Sequence, residues 1–277
     1  MNRNKTLIMM MTAGVMLSGL ASAAEKLTSV FTTEQEARIG EVAKDYLLAH
    51  PQVLVEVSQK LQAQQQEKQQ QAMIAAVIKN QAALLNDKGT PFYGPADAKV
   101  TVVEFFDYQC VYCAHLMPEL EKVIKANPNV RFVFKEFPIF GQRWPTSLNA
   151  AKTGLQIWEQ KGADAYLNYH NAIYATGNNE GKLTNNDIHT AAKAVKFDAS
   201  KAVNVQGTLD GISTLAQQLG FSGTPALVVL PSTGASVGNV TVIPGFTSAE
   251  NLQSAIGNAV IRSHRLTPGI GSLTSER

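Results

Sequence analysis

The stretch KVTVVEFFDYQCVYCAHLMPEL, residues 99–120, contains both cysteines of the chain, Cys110 and Cys113, separated by two residues. Its first part is nearly continuous in apolar residues, which predicts a strand that is buried on both faces. From the cysteines onward it predicts a helix, and NVRFVFKEFPIF, residues 129–140, predicts the next strand. A strand–helix–strand unit of this length makes its two strands parallel, joined by a right-handed crossover. The chain therefore contains a β-α-β unit with a Cys-x-x-Cys pair at the start of its helix.

The position of the cysteine pair favours redox chemistry. A Cys-x-x-Cys pair at the helix start of a β-α-β unit is typical of a thioredoxin-like redox motif. Free N–H groups and the helix dipole favour a thiolate at Cys110, while Cys113, one turn later, resolves the mixed disulfide. A zinc site needs about four ligands, but the chain has no second cysteine pair, and its five histidines lack paired spacing. A structural disulfide across two residues constrains little chain entropy; two unrelated buried thiols are the remaining alternative.

The rest of the C-terminal part predicts an α/β domain that is interrupted by helices. Residues 144–220 contain four segments with helical periodicity, separated by Gly, Asn or Asp. PALVVL and NVTVIPGF, residues 225–230 and 239–246, predict two further strands, and residues 248–262 predict a closing helix. We therefore predict a thioredoxin-like α/β domain over residues 89–262, with a helical insertion at about residues 144–220 and a domain boundary rich in Gly and Pro at its start.

Residues 25–88 predict a helical dimerisation arm and linker helix. Thr33 stands three residues before Glu36, as in a capping box, and apolar residues follow at helical spacing. QKLQAQQQEKQQQ, residues 59–71, has eight glutamines and little to bury, so this helix is expected to bridge two bodies. The small unit over residues 31–61 exposes too much apolar surface to stand alone, and a symmetric dimer is the simplest solution. Helices folded back on the main domain, or a flexible glutamine-rich linker, are the alternatives.

Residues 1–24 have the pattern of a secretory signal peptide. Arg3 and Lys5 precede an apolar segment that is shorter than the roughly 20 residues needed to span a bilayer, and small residues favour cleavage near Ala23 or Ala24. We therefore expect a periplasmic protein; an uncleaved membrane anchor is the alternative. The periplasm is oxidising, so cysteine pairs there tend to form disulfides.

Charge excludes one class of partner. The chain has 24 basic and 22 acidic residues, and removal of the two basic residues of the signal leaves equal numbers. No basic stripe with interleaved aromatic residues is present, so the sequence predicts no binding of nucleic acid. The polar tail, residues 263–277, is expected to be flexible.

The stretch around the cysteines, the helical block and GFSGTPALVV, residues 220–229, together resemble the DsbA-like thiol-disulfide oxidoreductases. DYLLAHPQVLVEVSQKL, residues 45–61, resembles the extension of a secreted subgroup of that family, whose members self-associate. The resemblance implies that Thr224 and Pro225 form a cis-proline loop, which faces the cysteine pair and presents its backbone to an extended substrate. From the residues alone, this segment predicts only a turn.

The resemblance also implies a buried acid beneath the cysteines. In this family such an acid, here Glu104, relays the proton of the resolving thiol, and a lysine, here Lys135, can pair with it. The residues agree, because a glutamate inside TVVEFF is costly to bury without a partner and Lys135 lies in the next predicted strand. A solvent-facing position of each side chain is the alternative.

Val111 and Tyr112 stand between the cysteines, where the strongest oxidants of the family have Pro-His. Loss of that histidine should raise the pKa of Cys110, and one pKa unit corresponds to about 1.4 kcal/mol, or about 30 mV for a two-electron couple. Thr224, where those oxidants have Val, points the same way, so we expect a less oxidising centre. We predict that Val111, Tyr112, Thr224 and Pro225 contact the substrate protein, which we call the client.

The sequence thus predicts a periplasmic thiol-disulfide oxidoreductase that needs no cofactor or metal and acts through Cys110 and Cys113, assisted by Glu104 and Lys135. Its expected partners are unfolded or misoxidised secreted proteins and a membrane redox protein that resets the cysteines. Oxidation and isomerisation both stay open, with a bifunctional enzyme favoured. An envelope holdase chaperone, or copper handling through soft thiol ligands, are the alternative functions.

Overall fold

The computed structural model describes residues 30–263, except the side chains of the last three. The described chain divides into two units, of which the first ends at Lys60 and the second begins at Leu61. The predicted signal peptide, residues 1–24, lies outside the described residues, as does the predicted tail beyond Ser263. Among the residues described, no helix combines the length and the apolar character needed to cross a bilayer.

The first unit is helical, as predicted. Helix α1, Thr33–Ala49, has Thr32 as its N-cap: the Thr32 hydroxyl accepts a hydrogen bond from the N–H of Gln35, and the Gln35 side chain accepts one from the N–H of Thr32. The capping box therefore lies one residue earlier than the predicted pair. Helix α2, Gln52–Lys79, runs through the glutamine-rich segment without interruption.

The second unit contains a five-stranded mixed sheet in the order β1-β3-β2-β4-β5. Its strands are β1 (Phe92–Tyr93), β2 (Val100–Phe106), β3 (Arg131–Glu136), β4 (Ala226–Pro231) and β5 (Thr241–Pro244). Strands β2 and β3 are parallel, as the β-α-β unit predicts, and the other three pairings are antiparallel. The short edge strand β1 is an addition to the predicted set.

The helices after α2 follow the predicted order. They are α3 (Gln81–Leu85), α4 (Val111–Ala126), α5 (Pro145–Lys161), α6 (Ala163–Ala175), α7 (Asn185–Ala194), α8 (Gln206–Gln218) and α9 (Ala249–Ser263). Helices α5 to α8 lie within the predicted helical insertion, and α4 begins at the cysteine pair. The α/β fold with its insertion is therefore confirmed.

The central strand β2 is buried along its whole length, as its apolar sequence predicts. Because side chains alternate along a strand, Val102 and Phe106 pack with α4 and α6 on one face of the sheet. Val103 and Phe105 pack with α3 and α8 on the other face. Helix α4, which begins at the cysteine pair, therefore belongs to the first of two separate apolar layers.

The second apolar layer includes residues that the sequence analysis placed before the domain boundary. Val77, Leu84 and Leu85 are buried in it, although the sequence assigned them to the arm. The structural division lies at Lys60, not at the predicted residue 88. The physical reason is that the apolar residues at the end of α2 and in α3 cover a sheet face that would otherwise be exposed.

Candidate active site

The nucleophile predicted from the sequence lies at the N-terminus of α4. Cys110 is the N-cap residue, with an extended backbone, and both Cys110 and Cys113 are present as thiols. The Cys110 thiol donates a hydrogen bond to the Thr224 carbonyl oxygen, with 3.2 Å between the sulfur and the oxygen. The segment that the resemblance placed opposite the cysteines is therefore in direct contact with one of them.

The surroundings of Cys110 favour its thiolate. Together these surroundings lower the pKa of Cys110 from 9.0 to about 6, although burial opposes the shift; the largest contribution is the hydrogen bond that the Cys113 thiol donates to the Cys110 sulfur. The side chain of Thr224 and the N–H groups of Tyr112 and Cys113 make smaller contributions in the same direction. A cysteine with such a pKa is largely ionised at neutral pH, which is the nucleophilic form.

Cys113 has the opposite character. Its side chain is fully buried, and burial raises its pKa well above 9.0. The hydrogen bond to Cys110 and the charges of Cys110 and Glu104 raise this pKa further. The two cysteines are therefore distinct, with one poised to attack and the other held as a protonated thiol.

The Thr224–Pro225 peptide bond is cis, as the resemblance implies. A groove of about 240 Å³ runs beside it, and its lining residues are Gly220, Phe221, Ser222, Gly223, Thr224, Pro225, Ala226, Pro244 and Gly245. The Pro225 carbonyl already accepts a hydrogen bond from the N–H of Gly245 at 2.8 Å. Pairing of a client strand with the backbone of this loop stays a prediction.

The Thr224 side chain also affects the ionisation of Cys110. In the thiol form its hydroxyl has no hydrogen-bond partner among the described residues. A thiolate can only accept hydrogen bonds, and the Thr224 side chain lowers the pKa of Cys110. The less oxidising effect that the resemblance assigned to a threonine at this position stays a prediction.

Glu104 is buried, as predicted, but without the predicted partner. Neither carboxyl oxygen has a hydrogen-bond partner in the described part of the chain, and burial raises the pKa of Glu104 from 4.5 to about 8. A largely protonated acid at neutral pH can exchange a proton with a thiol. When Glu104 is ionised, its charge contributes to the raised pKa of Cys113.

Lys135 does not pair with Glu104, which corrects the prediction. In the register of β2 and β3, Glu104 is opposite Phe134 and Phe105 is opposite Lys135, so the acid and the lysine project from opposite faces of the sheet. The Lys135 ammonium group contacts α3 and the segment after it instead. Its partners are Asp87 Oδ2 at 2.9 Å, Thr90 Oγ1 at 2.9 Å and the Ala83 carbonyl at 3.3 Å.

The neighbour of Lys135, Glu136, is a buried acid that the sequence analysis missed. Its Oε1 accepts hydrogen bonds from the hydroxyls of Tyr108 and Tyr166, each at 2.9 Å. Burial raises its pKa well above 4.5. A methyl group on Gly154 would lie 2.6 Å from this oxygen, so a glycine inside α5 provides the space. Alternation along β3 places Glu136 on the face opposite Lys135, but only the register with β2 shows which face of the sheet that is.

Asp107 was also missed, although it stands three residues before the nucleophile. Its Oδ1 accepts from the N–H of Gln109 at 2.8 Å. Its Oδ2 accepts from the N–H of Phe140 at 2.9 Å and from the hydroxyl of Ser147 at 2.8 Å. Asp107 therefore ties the turn before Cys110 to the segment after β3 and to α5.

The two residues between the cysteines differ in exposure. Tyr112 is 60% exposed beside Cys110, whereas Val111 is half-buried. Tyr112 is therefore accessible to a client, while contact with Val111 stays a prediction. Within residues 30–263, no three His, Cys, Asp or Glu side chains are grouped so that they could hold a metal ion.

Family comparisons agree with this geometry. The thioredoxin family model matches residues 86–230, about half of the chain. The chain belongs to the thioredoxin family. A second model, the N-terminal domain of the copper resistance protein ScsC, matches residues 35–68 of this thioredoxin-family protein, which relates its helical arm to that of ScsC.

Solved structures support the same assignment. BcfH of Salmonella enterica Typhimurium is 45% identical with a TM-score of 0.73, and the match covers 82% of this thioredoxin-family chain and 96% of BcfH. A periplasmic thioredoxin-like protein of Salmonella enterica serovar Typhimurium is 27% identical with a TM-score of 0.54, over 64% and 93% of the two chains.

Curated relatives include a protein named for disulfide formation. Disulfide bond formation protein D of Bacillus subtilis is 24% identical over 183 residues, which are 61% of this chain and 76% of that protein. The chain also matches two Na(+)/H(+) antiporters, NhaA 1 of Salinispora arenicola and NhaA 3 of Salinispora tropica, but it spans only 21% of the length of each.

Proposed function

We propose that this protein is a periplasmic thiol-disulfide oxidoreductase that forms and rearranges disulfides in secreted proteins. The observation that carries the proposal is the difference between its cysteines. The pKa of Cys110 is lowered to about 6, while that of Cys113 is raised. Thiol-disulfide exchange needs an attacking thiolate that is present at ambient pH and a second thiol that acts later.

Isomerisation begins with the reduced form. The Cys110 thiolate attacks one sulfur of a client disulfide, the client S–S bond breaks, and a mixed disulfide with Cys110 forms while the client thiolate leaves. A different client thiolate then attacks the client sulfur of the mixed disulfide, so that a new client S–S bond forms and the bond to Cys110 breaks. No net electrons are transferred, so the client leaves with a different disulfide and Cys110 is again a thiolate.

Oxidation uses the disulfide form of the same pair. A client thiolate attacks Cys110, the Cys110–Cys113 bond breaks, and Cys113 leaves as a thiolate that takes up the proton of Glu104. A second client thiolate then attacks the client sulfur of the mixed disulfide and releases Cys110. The client has lost two electrons and the protein has gained them; a membrane redox partner removes them to restore the disulfide. No other cofactor is required.

The arm gives the proposed enzyme its assembly. Helix α1 has no buried residue, and Ile39, Val42 and Tyr46 are 51%, 54% and 56% exposed on one of its faces. They line an apolar groove of about 710 Å³ within the first unit. Removal of such an apolar face from contact with water is favourable. We propose that a second copy of this chain covers it, most simply in a homodimer.

The test compares two variants in catalysed refolding of a reduced client and of a client with scrambled disulfides. Cys110→Ser should abolish both activities, because no thiolate remains at the helix N-terminus. Cys113→Ser should accumulate the mixed disulfide, visible as a mass shift on a non-reducing gel. Full activity of the Cys110→Ser variant in both assays would refute the proposed chemistry.

A second candidate function is copper handling. The observation that favours it is the match of residues 35–68 to a domain of a copper resistance protein, together with two thiols that suit cuprous ion. Cuprous ion titrated against a competing chelator should then bind stoichiometrically to the wild type and not to a Cys110→Ser/Cys113→Ser double variant. Equal binding by both would exclude the thiols as ligands.

A further inference from the structure

Gln109, the residue directly before the nucleophile, is a fully buried polar residue. Its backbone N–H and its backbone carbonyl oxygen both form hydrogen bonds. Its N–H donates to Asp107 Oδ1 at 2.8 Å, and its carbonyl oxygen accepts a hydrogen bond from the N–H of Glu180 at 2.9 Å. Glu180 lies in the loop between α6 and α7, so a contact with the helical insertion fixes the backbone that leads into Cys110.

The Gln109 side chain makes two more contacts with the insertion. Its Oε1 accepts a hydrogen bond from the N–H of Gly181 at 2.8 Å. Its Nε2 donates to the hydroxyl of Thr146, in the first turn of α5, at 2.7 Å. A buried amide normally satisfies its polar atoms, and here the partners come from two separate parts of the insertion.

The loop that meets Gln109 has an unusual backbone. Gly177, Glu180 and Gly181 have φ values of 69°, 51° and 91°. A left-handed backbone is uncommon for a residue other than glycine and costs free energy, yet Glu180 adopts it. At Gly181 a Cβ would lie 2.7 Å from Trp144 Nε1. The loop thereby presents two successive N–H groups, of Glu180 and Gly181, to Gln109.

We propose that Gln109 is a positioning residue that couples the loop of residues 177–181 to the sulfur of Cys110. This inference rests on the proposed function. As the N-cap of α4, Cys110 takes its position from the backbone that precedes it, and the N–H groups of Tyr112 and Cys113 act on its sulfur only at close range. The insertion therefore tunes the redox centre through one side chain and one peptide unit.

The test is the pH dependence of Cys110 alkylation in reduced protein. Gln109→Met keeps the length of the side chain but removes both of its hydrogen bonds, so the sulfur moves relative to the N–H groups. We expect the midpoint to rise by about 0.5–1 pH unit, which lowers the alkylation rate about three- to eightfold at about pH 5.5. Thr146→Val removes only the Nε2 contact and should give a smaller shift in the same direction.

A matched control separates positioning from general stability. Gln160 also binds backbone through its amide: Nε2 donates to the Asp198 carbonyl at 3.0 Å, and Oε1 accepts from the N–H of Asp198 at 2.9 Å. It lies about 21 Å along α5 from Thr146. Gln160→Met should lower the melting temperature comparably and leave the alkylation midpoint unchanged.

The groups that act on the Cys110 sulfur are the Cys113 thiol, the Thr224 side chain and the N–H groups of Tyr112 and Cys113. None of these three variants removes any of them. A wild-type midpoint in Gln109→Met, with only a lower melting temperature, would overturn the inference. This readout needs no client, so it can fail while the proposed function holds, and it can succeed if client assays show no turnover.

Discussion

Burial of Glu104 links the stability of the protein to pH. Its pKa is about 8 in the folded protein and 4.5 without burial, so the folded chain keeps a proton that the unfolded chain loses. The stabilisation that comes from this retained proton is fully present below pH 4.5 and is lost as the pH rises through about 8. For one such group the free energy of unfolding falls by about 4 kcal/mol over this interval.

Replacement of Glu104 by Gln should remove this pH dependence. Urea unfolding of the reduced variant should show a clear gain in stability over the wild type near pH 8 and little gain near pH 5. Glu121→Gln, at a more exposed acid on α4, is the control and should follow the wild type. An unchanged slope of stability against pH in Glu104→Gln would contradict the burial of this group as a carboxylic acid.

At the scale of elements, Lys135 attaches β3 to the segment between α3 and β1. Its side chain is fully buried, while that of its partner Asp87 is 37% exposed. Asp87→Ala leaves an ammonium group buried without a counter-charge and should lower the free energy of unfolding by about 3 kcal/mol. Lys135→Met should cost less, because water can solvate the remaining carboxylate.

The Lys135→Met variant also tests the role that the resemblance assigned to Lys135. Because Lys135 and Glu104 project from opposite faces of the sheet, Lys135→Met should leave the pH midpoint of Cys110 alkylation and the rate of client oxidation unchanged. Unfolding curves measure the stability effect, and alkylation measures the redox effect. A shifted midpoint in Lys135→Met would restore a functional link across the sheet.

At the scale of the whole molecule, the proposed assembly depends on the first unit. Deletion of residues 25–60 should give a folded monomer, since it removes α1 and its exposed apolar face but leaves the second unit intact. Deletion through residue 88 would also remove Val77, Leu84 and Leu85 from the core of the second unit, so it should unfold the protein.

Sedimentation velocity measures the number of copies, and circular dichroism shows whether each truncation is folded. In the full-length chain, Val42→Glu should weaken association, because it places a charge in the apolar groove. Lys44→Glu changes an exposed polar position of the same helix and should leave association intact. An oligomer that survives deletion of residues 25–60 would show that the arm is not the interface.

The sequence by itself determined the features that depend on neighbouring residues. The apolar run before Cys110, the spacing to Cys113 and the helical periods of the insertion are local patterns, and they were sufficient for the β-α-β unit, the cysteine pair and the four inserted helices. The absence of Gly and Pro from the glutamine-rich segment also favoured a continuous helix there, although a flexible linker stayed open as the alternative.

Only the tertiary structure decided how distant residues meet. Strand alternation gives two possible faces for Lys135, and the register of β2 and β3 selects the one away from Glu104. The end of α2 joins the second unit because a sheet face needs apolar cover. The contacts of Gln109 with Thr146 and Gly181 span 37 and 72 residues. Hydrogen bonds over such separations depend on chain topology, and no local pattern encodes them.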